Sequence, residues 1–141
     1  MKTLNQKIKT HKLGAVYQAP HFFILSKGNN SGKPLETPCP NCFVCLCLNN
    51  EEKQALYWLF YGLWQGMFFR PVITGSVIPF IRLDDLKEVA NLALVKLESQ
   101  PRLFIKNIKL LQTLDANAKC INEQIQLIKQ AKKALMYQVL K

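Results

Sequence analysis

From Arg102 to Lys141 the chain contains neither proline nor glycine, a run of forty residues with nothing to break a helix. Leu111, Leu114, Ala118, Ile121, Ile125, Ile128, Leu135 and Val139 recur along it at alternating spacings of three and four, with Lys132 the one polar intrusion. That is a coiled-coil seam of about four heptads. Pro101 is well suited to the first turn of such a helix. At about 1.5 Å per residue, a helix from Pro101 to Leu140 is near 60 Å long. A domain of this size cannot cover it, so the pattern predicts that part of the helix packs on another chain. The alternative is a break near Asp115 to Lys119 that folds the segment back as a hairpin.

Upstream, residues 72–86 read V-I-T-G-S-V-I-P-F-I-R-L-D-D-L. The first half is rich in β-formers, and Gly75 and Pro79 oppose a helix, so it predicts a strand. Asp84 and Asp85 then precede Leu86, Val89, Ala90, Ala93 and Leu97, which is a helix start followed by apolar residues at helical spacing. Asn49-Asn50-Glu51-Glu52 opens another helix, with an asparagine cap and two acids in the first turn. It is expected to run to about Arg70, before Pro71, burying Leu56, Leu59, Phe60, Leu63 and Met67. Tyr57, Trp58, Tyr61, Trp64 and Phe68 widen the apolar arc, so this helix should be covered on more than one side. Those aromatics suit core packing better than stacking on bases, and Gly62 and Gly66 suit close approach to a strand.

Residues 13–25 suggest two short strands divided at Ala19-Pro20, with His21–Leu25 buried. Ser26 to Pro38 is the strongest loop signal, dense in Gly, Asn, Ser and Pro, and it carries Lys27 and Lys33. Its G-N-N-S-G-K lacks the spacing and the following Ser or Thr of a nucleotide-binding P-loop, which leaves a turn or a loop contacting phosphate backbone. Cys39, Cys42, Cys45 and Cys47 follow. C-P-N-C has the form of a thiol-redox motif, but a proline-rich loop precedes it and β-formers follow, where such chemistry needs a helix N-terminus. A strand from Phe43 to Leu48 would carry Cys47 roughly 16 Å past Cys42 at about 3.3 Å per residue. Four sulfurs could then not share one zinc ion; a metal site here requires that strand to be absent. Otherwise Cys45 and Cys47 share one strand face as small buried hydrophobes.

The fold class expected is α+β: a small mixed sheet with a buried aromatic helix over residues 1–98, then the long heptad helix over 99–141. The formal net charge is +10, with six lysines and no acid in residues 1–33 and eight basic against two acidic residues in 99–141. That surplus points to a polyanionic partner such as DNA, RNA or an anionic membrane, or to a solvated basic surface. The longest apolar run, Ala55 to Phe69, is broken by Gln65 and short of the about 20 residues a membrane span needs. No apolar signal segment follows the basic N-terminus, and five cysteines are an odd number, so a cytoplasmic protein with reduced thiols and no membrane partner is expected. His11 and His21 are the only histidines, and no Ser, Cys or Lys has an evident base beside it. No enzyme activity, cofactor or small-molecule substrate is expected.

Taken in order, Tyr57–Phe69, then Gly75, Ser76, Ile78, Pro79, Ile81, Asp85 and Leu86, then Gln100–Leu140 resemble one target-recognition domain and its trailing helix from the specificity subunits of type I restriction-modification systems. The likeness covers residues 21–141. It departs from that family at Lys87–Gln100, which reads as helix where a proline-rich segment is usual, and in having room for one recognition domain where full subunits carry two. The chain also resembles small proteins of gut Bacteroidales. The first resemblance implies DNA binding without catalysis. Lys27, Lys33, Arg70 and Arg82 would bind phosphate, and Asn29, Asn30 and Ser31 would reach base edges. The seam would join a second copy or a partner subunit, so that a dimer reads a split site. The competing expectation is a protein–protein adaptor or inhibitor that docks through the long helix, with its charge incidental.

Overall fold

The computed structural model describes residues 4–141, which fall into two units, one ending at Phe104 and the other running from Ile105 to Lys141. The boundary lies past the expected one at 98/99 because Phe104 still packs on the core of the first unit. The elements are α1 (Leu4–Lys7), β1 (Ile8–Thr10), β2 (His21–Leu25), β3 (Pro34–Leu35), β4 (Cys42–Leu46), α2 (Asn50–Gln65), a 3-10 turn (Arg70–Val72), β5 (Ile73–Thr74), β6 (Phe80–Ile81), α3 (Leu83–Glu98) and α4 (Pro101–Leu140). The fold is α+β. Its main sheet has the order β1-β4-β2-β3, antiparallel at each pairing, and β5 and β6 make a separate hairpin.

Alternation along the strands divides the apolar side chains between two faces. Ile8, Phe22, Ile24, Phe43 and Cys45 meet Leu56, Leu59, Phe60 and Leu63 of α2 and Leu86 and Ala90 of α3 in the main core. Each large side chain buried there contributes about 1.5–3 kcal/mol. Phe23, Cys42 and Val44 face the other way, under Tyr17, Leu35, Cys39 and Leu46. The α2 start is built as its sequence suggests: Asn49 Oδ1 accepts from the Glu52 amide at 2.8 Å, and Glu52 Oε2 accepts from the Leu48 amide at 2.6 Å. Glu52 also pairs with Lys7, which is only 5% exposed.

Several expectations change. No strand forms over residues 13–19; the first strand is Ile8–Thr10, whose Ile8 lies opposite Cys45. Residues 12–15 turn instead, the Ala15 amide donating to Lys12 O at 3.0 Å. α2 ends at Gln65, not near Arg70. The amides of Met67 and Phe68 close back on Trp64 O and Leu63 O at 3.0 and 2.9 Å, the pattern of a Schellman cap. Met67 and Phe68 are therefore exposed rather than part of the buried arc. Residues 72–81 form a hairpin and not one strand: Ile73 pairs with Ile81 and Thr74 with Phe80, and Gly75 turns the chain at a φ of 100°. This departs from the strand that the restriction-subunit likeness implies for Gly75–Ile81.

Pro101–Leu140 is one helix without a fold-back, so the hairpin alternative is not adopted. Where a break was conceivable, Asp115 and Lys119 form an i,i+4 ion pair at 3.3 Å. No residue of α4 is buried. The seam is accordingly open: Leu111 is half-buried, and Leu114, Ala118, Ile121, Ile125, Ile128, Leu135 and Val139 are exposed.

Candidate functional site

The loop of residues 26–33 is held by its own backbone. The Leu25 amide donates to Lys33 O at 2.9 Å, the Gly32 amide to Leu25 O at 2.8 Å, and the Lys33 amide to Asn30 O at 3.0 Å. Gly32 has a φ of 96°, and a Cβ on it would lie 2.2 Å from Phe69 Cδ2, so the loop sits directly on the Phe69 ring. Two further bonds tie the loop to the 73–81 hairpin: Gly28 amide to Pro79 O at 2.7 Å, and Ile81 amide to Ser26 O at 2.9 Å.

This framework gathers most of the residues expected to contact nucleic acid. Lys27 is exposed and its backbone bridges to Phe80. Lys33 Nζ lies 4.9 Å from the centre of the Trp64 ring. Arg70 is exposed at the start of the 3-10 turn, and Arg82, exposed, caps α3 directly after β6. Neither residues 26–35 nor residues 64–83 contain an Asp or Glu. Asn29 and Asn30 are exposed at the loop tip. Ser31 is not: it is buried, and its hydroxyl donates to Gly28 O at 2.7 Å, which closes the turn and removes it from any role at a base edge.

Between this loop and the end of α2 lies a cleft of about 150 Å³. Asn29, Asn30 and Ser31 line one side, Trp64, Gln65 and Met67 another, and Phe69, Arg70 and Ile73 complete it. Trp64 and Gln65 were legible only as helix residues; the helix ending after them is what turns them toward a loop some thirty residues earlier. Met67 adopts a φ of 63°, the left-handed region that favours glycine. Gly66 precedes it, with the exposed Phe68 ring lying 2.8 Å from where a Cβ on it would be.

The cysteines divide across the sheet. Cys45 and Cys47 lie in the main core, whereas Cys42 and Cys39 belong to the opposite face. Cys42 Sγ donates to Cys39 O at 3.1 Å, and burial pushes its thiol up. The interaction between the Cys45 and Cys47 side chains raises the Cys45 thiol and lowers that of Cys47, with Lys7 and Lys53 helping the latter. Sulfurs on two faces cannot share an ion, and among the described residues no group of three His, Cys, Asp or Glu side chains is arranged to hold a metal. The histidines serve local packing: His11 Nδ1 is 3.0 Å from Tyr17 Oη, and His21 Nδ1 donates to Ala19 O at 2.8 Å. No helix of the described residues is long and apolar enough to cross a membrane.

The two units together carry the signature of a known family. The chain belongs to a family of unknown function, DUF6943, which it matches over residues 8–138. No curated protein and no solved structure matches it.

Proposed function

We propose that this chain is a non-catalytic, cytoplasmic DNA-binding module that pairs with a second copy or a partner subunit through α4. The observation that carries the proposal is the placement of Lys27 and Lys33 on the 26–33 loop, Arg70 in the cleft beside it and Arg82 next to Ile81, whose amide bonds Ser26, with no carboxylate in residues 26–35 or 64–83. Cations so placed neutralise phosphates and fix position, and the two amides at the loop tip, Asn29 and Asn30, are free to meet base edges, where asparagine matches the donor and acceptor of adenine. This is also the role implied by the resemblance to restriction specificity subunits. The exposed seam would hold two such modules together on a split site. Five free thiols fit a reducing compartment.

The test is anisotropy of a labelled mixed-sequence duplex at about 50 and 200 mM salt. Four phosphate contacts predict a fall in affinity of roughly 100-fold across that range. Replacing all four cations with alanine should flatten the dependence. Absence of binding at the lower salt would reject the proposal. The open seam of α4 favours a second reading, an adaptor or inhibitor that docks on a partner's helix; it predicts no affinity for duplex at either salt.

A further inference from the structure

We infer that the cleft between the 26–33 loop and the end of α2 takes one unpaired nucleobase, with the attached phosphate on Arg70. For a nucleotide borne on a strand, the inference rests on the DNA-binding reading above; for a free mononucleotide it does not.

The lining specifies the ligand by chemistry. Asn29, Asn30 and Gln65 present three primary amides, each both donor and acceptor, which suits the mixed edge of a nucleobase. Trp64 adds an aromatic surface of the kind on which bases stack, and Lys33, whose ammonium lies over one face of that ring, adds positive charge. Among the described residues Arg70 makes no ion pair, and its guanidinium reaches only Met67 Sδ, at 3.7 Å. A planar fork without a carboxylate is suited to phosphate. No acid lines the cleft, so a cation is not its ligand. At about 150 Å³ it is smaller than the about 300–1,000 Å³ typical of drug-sized ligands, so it admits one heterocycle and not a stacked base pair.

The walls are also set before anything binds. The Phe69 ring fixes the loop through Gly32, and the far wall carries methionine where a Schellman cap prefers glycine. Strain of that kind concentrates at sites of function. A base can enter only from outside a helical stack, and it leaves the stack most cheaply where it is already unpaired.

The experiment compares a fully paired duplex with the same duplex carrying one bulged nucleotide, by anisotropy at low salt, for the native chain and for Gln65→Ala. Gln65 holds no phosphate in the DNA-binding reading, so paired affinity should not change in the variant. The bulged duplex should bind about ten- to a hundredfold more tightly to the native chain, and Gln65→Ala should remove most of that preference. Calorimetric titration with AMP, GMP, CMP and TMP forms the second arm. Binding of a mononucleotide that is lost in Gln65→Ala supports the cleft and assigns it a free nucleotide. Equal affinity for both duplexes together with no mononucleotide binding overturns the inference, while salt-dependent binding of the paired duplex leaves the broader reading intact. A preference that survives Gln65→Ala places the base elsewhere and overturns it too. Should neither duplex bind, the broader reading falls and the mononucleotide arm alone decides the cleft.

Discussion

The Phe69 ring occupies the place where a side chain on Gly32 would have to go, its Cδ2 only 2.2 Å from an ideal Cβ. Phe69 is itself 1% exposed and stacks on Phe60 at a centroid distance of 5.9 Å, so it has nowhere to retreat. Gly32→Ala should therefore cost the left-handed backbone, about 1–2 kcal/mol, and a further 1–3 kcal/mol or so for displacing a packed ring. Gly14 is the control. Its φ is 81°, but a Cβ there meets nothing within 4 Å, so Gly14→Ala should cost only the backbone part. Urea melts of the two variants would measure the difference; equal losses would mean that the ring does not hold the loop.

Met67 stands in the opposite situation, a side chain where glycine would be easier. Met67→Gly relieves about 1–2 kcal/mol of backbone strain and returns about 0.5–1 kcal/mol to the unfolded chain as added freedom. The expected outcome is a melting temperature raised by a few degrees, seen by circular dichroism. A lower melting temperature would show that Met67 contributes more to packing than its exposure suggests.

Lys7 and Glu52 join the N-terminal segment to the first turn of α2. Removing one member of a buried pair costs about 3–5 kcal/mol; Glu52 keeps some exposure and its bond from the Leu48 amide, so Lys7→Met should cost less, about 2 kcal/mol. Glu52→Gln should be worse than Glu51→Gln, because Glu51 is exposed in the same turn and shares none of these partners. Thermal melts of the three variants give the ranking, and a Glu51 variant as damaged as the Glu52 one would contradict it.

On α4, the proposal that the seam joins two copies predicts that Ile125→Asp abolishes self-association and Lys132→Leu strengthens it, since a charge within a heptad seam sets specificity at a cost in stability. Sedimentation of the full chain reads both. A native chain that stays monomeric and a Lys132 variant that does not change would leave the seam to a different partner.

Much of this architecture was legible in the residues. Asn49 capped a helix as its position suggested, Leu56, Leu59, Phe60 and Leu63 were its buried face, Cys45 and Cys47 shared one side of the sheet, and the 3,4 spacing after Pro101 became one helix. The misses have physical causes. Ile8–Thr10 has no alternation of its own and becomes a strand because Cys45 and its neighbours offer a ladder thirty-seven residues away. Gly66 looked like a packing residue in mid-helix; the amides of Met67 and Phe68 turning back on Trp64 O and Leu63 O make it the cap. Asn29 and Asn30 could be chosen from a loop signal, but Ser31 could not be excluded without the turn that consumes its hydroxyl. The cleft itself belongs to no segment, so only Arg70 and the loop residues could be named in advance.

The 26–33 loop separates what must stay from what can change. Gly32 is constrained by its positive φ and by the Phe69 ring, Gly28 by its positive φ alone, and Ser31 by the hydroxyl that ties the turn, so a substitution at any of the three costs stability. The Asn29 and Asn30 side chains, exposed between them, make no hydrogen bond among the described residues and contribute nothing to the core. Two adjacent positions can therefore be exchanged for almost any polar pair without disturbing the fold. The two side chains at this loop tip can thus vary in a lineage while the protein that presents them stays the same.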